Sequence, residues 1–147
     1  MKLMTKALTA ALVLAAGTAF AAGDRTDPNA KARSDLMKTV GMNTKVLGDM
    51  AGDKAPFDAA AAETAKAGLL AAIAQVGTAF ETEGDLDPAS EAKPEIWTSW
   101  DDFVKKGEAL NAAVTAIDVS SLDGVKAGMG AIGGACKDCH TTYRVQN

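Results

Sequence analysis

Cys136, Cys139 and His140 are the chain's only cysteines and only histidine, and they stand together as Cys136-Lys137-Asp138-Cys139-His140. Two thiols three apart, followed at once by an imidazole, form the five-residue pattern that attaches haem covalently. On a helix, residues i and i+3 share a face, so both sulfurs can form thioethers with the two vinyl groups of one porphyrin. The residue after the second cysteine then brings a nitrogen ligand under the iron. Other chemistries fit this triplet less well. A structural zinc site takes four ligands, and two cysteines with one histidine do not supply them. A redox dithiol of the thioredoxin kind needs a βαβ setting, and no segment here reads as a strand. A disulfide across one helical turn would close a strained ring. The spacing therefore predicts one covalently bound haem c, with thioethers at Cys136 and Cys139 and His140 as the proximal iron ligand.

Four segments carry a helical period and are available to position that motif. Asp27-Pro28 reads as an N-cap with proline at the first helical position. From there Leu36, Met37, Val40, Thr44 and Leu47 run down one face to about Ala51. Asp58 can cap a second helix with the stripe Ala62, Ala65, Leu69, Ile73, Val76 and Phe80. The acidic stretch Glu81 to Lys93 has no period and is expected to be a surface loop. Pro94 opens a third helix with Ile96, Trp100, Phe103, Gly107, Leu110, Val114 and Ile117 on one face. Ser120 with Asp123 resembles a capping box before the fourth stripe, Leu122, Val125, Met129, Ile132, Cys136, Cys139 and Tyr143. Stripes alternating three and four residues favour near-antiparallel packing. The expected fold is all-α: an antiparallel four-helix bundle with haem attached on the C-terminal helix.

The Gly128-Met129-Gly130-Ala131-Ile132-Gly133 stretch matches a dinucleotide fingerprint letter for letter. It follows no strand and opens no βαβ unit, so it reads as a helix surface shaved for a close neighbour, or as chance.

Residues 1–21 stand apart from this domain. Lys2 and Lys6 precede an apolar run from Ala7 to Phe20, and Ala19-Phe20-Ala21 has the small-x-small form of a signal-peptidase site. The run is shorter than the roughly 20 residues that span a bilayer. The expectation is a cleaved secretory signal peptide at 1–21, a periplasmic mature domain at 22–147, and no membrane span after cleavage. The formal charge of −4 becomes two units more negative when Lys2 and Lys6 leave. With no basic cluster to offset it, this argues against a nucleic-acid partner.

A haem motif at the end of a four-helix chain resembles the class II c-type cytochromes, the cytochrome c′ family with its low-spin six-coordinate relatives; cytochrome c′ is itself a standard example of the bundle. The likeness is carried by Arg33-Ser34-Asp35-Leu36-Met37, Pro56-Phe57-Asp58-Ala59-Ala60, Ala92-Lys93-Pro94-Glu95-Ile96-Trp97, and Cys136 to Arg144. The resemblance implies that Met37 and Phe80 line the distal side of the haem. It likewise implies that Arg33 lies near the propionates and Arg144 beside the proximal histidine. It implies a homodimer through the first two helices, which nothing in the periodicity demands.

The sixth iron position is open at this stage. His140 is the only histidine, so a second imidazole is excluded. Met37, Met42, Met50 and Met129 are the mature methionines, and Met37 is the one on its helix's main stripe whose place matches the ligand of the low-spin relatives. Two functions follow. With Met37 on the iron, the protein is a single-electron carrier between a periplasmic redox protein or membrane redox complex and its counterpart. With Met37 off the iron, it is a five-coordinate high-spin centre binding nitric oxide or carbon monoxide at an apolar site. No distal histidine or paired carboxylate suggests an enzyme.

Overall fold

The computed structural model describes residues 25–82 and 87–146. The expected signal peptide at 1–21 lies outside these residues. The described residues form six helices: α1 (Pro28–Ala51), α2 (Ala59–Ile73), α3 (Val76–Glu81), α4 (Glu95–Thr98), α5 (Trp100–Ala116) and α6 (Leu122–Tyr143). They make four arms, because α2 with α3 and α4 with α5 are each one arm broken once. α1 packs on α2 and α6, and α5 packs on α6 and α2, which closes an antiparallel four-helix bundle.

The caps show why these segments start where they do. Asp27 accepts from Ala30 N at 2.7 Å, with Pro28 at the first helical position. Asp58 accepts from Ala61 N at 3.0 Å. The capping box expected at Ser120 and Asp123 is displaced by one residue. Ser121 is the cap, its Oγ accepting from Gly124 N at 3.1 Å, while Ser120 turns back onto Asp118. A serine one place earlier has a local carboxylate to bond, so it is not free to cap.

Both breaks interrupt stripes without turning them. At Gln75 the amide bonds to Ala72 O at 3.0 Å, a three-residue return, and Val76 and Phe80 still face inward. At Ser99 the backbone leaves the helical region (φ −130°, ψ 43°), and its carbonyl then receives Asp102 N and Phe103 N.

The core has two parts. The larger gathers Val40, Leu47, Leu69, Val114, Val125 and Ile132, with Met50 also inside. The smaller gathers Phe80, Ile96, Phe103 and Tyr143, with Met37, Trp97, Trp100 and Cys139 packed against it. Its rings are in mutual contact: Phe103 lies 5.2 Å from Phe80, 5.5 Å from Trp100 and 5.4 Å edge-on to Tyr143. The glycine-rich part of α6 splits in role. A β-carbon at Gly128 would overlap Ile117, so that residue must be small, whereas Gly130 and Gly133 face open space.

The stretch expected to be a plain surface loop is more than that in its second half. Ala92 and Arg144 form an isolated antiparallel bridge, Lys93 N donates to Tyr143 O at 3.0 Å, and Val145 N donates to Glu91 O at 2.8 Å. Aperiodic sequence hid these bonds because main-chain groups make them, whatever the side chains are.

Candidate functional site

A cavity of about 680 Å³ lies where the two core clusters meet, walled by Val40 and Ile73 of one and Phe80, Ile96, Phe103 and Tyr143 of the other. This size falls in the ordinary range for cofactor sites, roughly 300–1,000 Å³. α6 lines it with Cys136, Cys139 and His140, and α1 faces them with Arg33, Met37 and Thr44. The seven residues expected around the haem meet at one place: Cys136, Cys139, His140, Met37, Phe80, Arg33 and Arg144 all stand in this wall.

The donors are chemically suited to a haem. Both cysteines are free thiols. Burial pushes the Cys139 thiol up to about 11 and raises Cys136 as well. A reactive dithiol has a depressed pKa, so this environment opposes the redox-dithiol alternative and keeps both groups as neutral sulfur. Burial, and then the nearby Arg144 charge, lower the basicity of His140, with Glu91 acting the other way. A less basic imidazole stays neutral and keeps a nitrogen lone pair for a metal. Sulfur at i and i+3, a neutral imidazole beside it, and an apolar hollow of cofactor size together fit a covalently held haem.

The surrounding charges are held individually. Arg33 is 3% exposed, its guanidinium 5.4 Å from the Trp97 ring centre and 5.7 Å from that of Phe80. Its Nη1 donates to Thr82 O at 3.3 Å. Arg144 donates through Nε at 2.9 Å and approaches through Nη2 at 2.8 Å, both to one oxygen of Glu91. Lys106 of α5 donates to Asp138 of α6 at 2.6 Å, inside the attachment motif. Tyr143, buried with its hydroxyl pushed up to about 12, donates to Asp102 Oδ2 at 2.7 Å. Sequence reasoning missed Glu91 and Lys106 as members of this wall. Lys106 lies on a helix whose stripe was read for its apolar face alone, and Glu91 lies in a stretch with no period to read.

A family model described as Cytochrome C′ matches residues 29–144. The chain belongs to the cytochrome c′ family. Among its relatives, cytochrome c-556 of Agrobacterium fabrum is 32% identical over 152 residues, covering 96% of this chain and 96% of the relative. In structure, cytochrome c′ from Rhodobacter Spheriodes superposes with a TM-score of 0.75 at 30% identity, over 81% of this chain and 96% of that one. A nitric oxide complex of a variant cytochrome c prime from Alcaligenes xylosoxidans gives 0.70 at 27% identity, over 81% and 94%. The chain is thus a class II, monohaem c-type cytochrome built as a four-helix bundle. Its likeness to a cytochrome c-556 and to cytochromes c′ is of similar strength, so identity alone does not choose between the two kinds of centre.

Proposed function

We propose that this cytochrome is an exported single-electron carrier, with haem joined to Cys136 and Cys139 and iron held between His140 and Met37. The observation that carries the reading is which methionine faces the cavity. Among the described residues, Met37 is the only one in its wall. Met42 points outward at 62% exposure, Met50 is packed in the larger cluster, and Met129 reaches toward Gly48. The three methionines other than Met37, which the sequence already disfavours as ligands, thus have other surroundings.

When bound, the haem would supply a one-electron couple at iron, and His140 with Met37 as its ligands would raise the potential of that couple. The protein's own residues do the rest. α1 and α6 bring Met37 and His140 to the same cavity, and both helices are long and capped, which limits rearrangement of the pair. Ile73, Val76, Phe103 and Leu110 give the cavity an apolar lining from α2, α3 and α5. Arg33, buried against two rings, offers a fixed positive charge to an anionic group at the cavity edge. The relatives carry the names of cytochromes, which agrees with carriage of electrons rather than catalysis.

Export rests on residues 1–21, and places the carrier in the periplasm beside a redox protein or a membrane redox complex. Among the described residues, no helix is long and apolar enough to cross a membrane. Met42 and Val46, exposed on α1 at 62% and 37%, support a homodimer through that face. Sedimentation of the wild type against Met42→Lys checks it: a dimer that becomes monomeric supports the interface, and an unchanged mass removes it.

The apolar cavity and the nitric oxide complex of the Alcaligenes relative favour one second reading, a centre with an open sixth position that binds such gases. Met37→Ala separates the two. The account expects a low-spin ferric spectrum that turns high-spin and gains carbon monoxide binding in the variant. A variant spectrum identical to the wild type takes Met37 off the iron.

A further inference from the structure

Residues 87–93 join the start of α1 to the end of α6, the two helices that carry the proposed iron ligands; His140 stands three residues before the end of α6 and Met37 nine residues into α1. At one end, Asp87 Oδ2 accepts from the backbone amides of Thr26 at 2.6 Å and Asp27 at 3.0 Å, the residues that lead into α1. Its other oxygen accepts from Ala89 N at 2.8 Å, which fixes the turn. At the other end, Glu91 O receives Val145 N, Lys93 N donates to Tyr143 O, and Lys93 Nζ donates to Thr142 O at 2.8 Å. The Glu91 carboxylate takes both Arg144 contacts, one helical turn past His140. Ser90, Glu91 and Ala92 also line the cavity directly.

We infer that the 87–93 segment is a latch setting how firmly Met37 is held opposite His140, with Glu91 as its principal positioning residue. This rests on the His140/Met37 reading above. The mechanical reason is the bundle's topology. α1 begins and α6 ends at the same end of the molecule, and these are the chain's two terminal arms. Nothing covalent joins them locally, and helix termini fray first. The strap ties one fraying end to the other through side-chain and main-chain bonds on both sides. With the strap loosened, the N-terminal part of α1 could move away from α6 as far as its third turn, which carries Met37, and Met37 would be held less firmly. Glu91 acts as a positioning residue, through its carboxylate on Arg144 and through its main chain on Val145.

Release of Met37 is read by the rate at which added carbon monoxide enters the ferrous holoprotein, because the sixth position must empty first. Glu91→Ala should raise that rate about two- to fivefold, the range expected on losing one partly exposed ion pair. Glu91→Gln, which keeps an acceptor without the charge, should fall between. Asp87→Ala combined with Glu91→Ala should exceed either alone. Lys126→Ala is the control, since it removes another cross-bundle pair, with Asp53, away from the cavity. It should lower the melting temperature while leaving the rate alone. A Glu91→Ala protein that melts lower yet binds carbon monoxide at the wild-type rate overturns the latch and leaves Met37 ligation standing. A wild type that binds carbon monoxide at once overturns Met37 ligation, and the latch with it.

Discussion

Tyr143 and Met37 lie in the same small cluster of rings, and their polar atoms are treated in opposite ways. The Tyr143 hydroxyl is bonded to Asp102 and tied down, whereas the Met37 thioether faces the cavity. Tyr143→Phe should cost about 1 kcal/mol in thermal unfolding, the usual net worth of one such bond, with an unchanged visible spectrum. A shifted spectrum would mean that Tyr143 acts on the haem directly. Met37→Ala should do the reverse, changing the spectrum far more than the melting point. At this scale the sequence was informative wherever a motif or a stripe marked a residue. Cys136, Cys139 and His140 were marked by spacing, and Met37, Phe80, Arg33 and Arg144 by family likeness; all seven line one cavity. Glu91 carried no such mark, because its importance lies in which main-chain and guanidinium groups the fold brings to it.

Among the elements, α6 concentrates the clearest tests. Ser121→Ala should cost about 1 kcal/mol as a lost N-cap, and Ser120→Ala should cost almost nothing; equal effects would mean the cap has been misassigned. Gly128→Ala forces a methyl group onto Ile117, so overpacking of about 1–3 kcal/mol should outweigh the helix-propensity gain. Gly133→Ala meets open space, and should stabilise the fold by the roughly 0.5–1 kcal/mol that alanine gains over glycine, read as a higher melting temperature. Four arms were legible because the apolar period ran through each of them. The breaks at Gln75 and Ser99 were not, since side chains on both sides keep the same face and only the backbone bonding changes. The shift of the cap from Ser120 to Ser121 turned on a single competing carboxylate, Asp118.

For the whole molecule, the two-part core with a cavity between its halves makes haem a structural element as well as a redox one. The double change Cys136→Ala, Cys139→Ala should yield little soluble helical protein, and undiminished circular dichroism with an unchanged melting temperature would contradict this. Acid should act mainly through carboxylates that the fold holds deprotonated. Backbone amides of Asp27, Ala89 and Thr26 hold Asp87 below its ordinary value, and the Ser120 hydroxyl and amide do the same for Asp118. A depressed folded pKa favours the folded state above the ordinary value near 3.8, and that advantage is lost as pH falls through the lower one. The melting temperature should therefore hold down to about pH 4 and fall below it. Asp87→Asn should flatten part of that fall; an unaltered acid limb would show that Asp87 contributes none of it.

Shared ligation of one iron by Met37 and His140 is read from the optical spectrum of the purified holoprotein, recorded ferric and ferrous, with and without carbon monoxide. The expected result is a sharp ferrous α band, a weak sulfur-to-iron band at the red edge of the ferric spectrum, and no rapid shift on adding carbon monoxide. A broad high-spin spectrum that shifts at once would contradict it and make this member of the family a gas-binding centre.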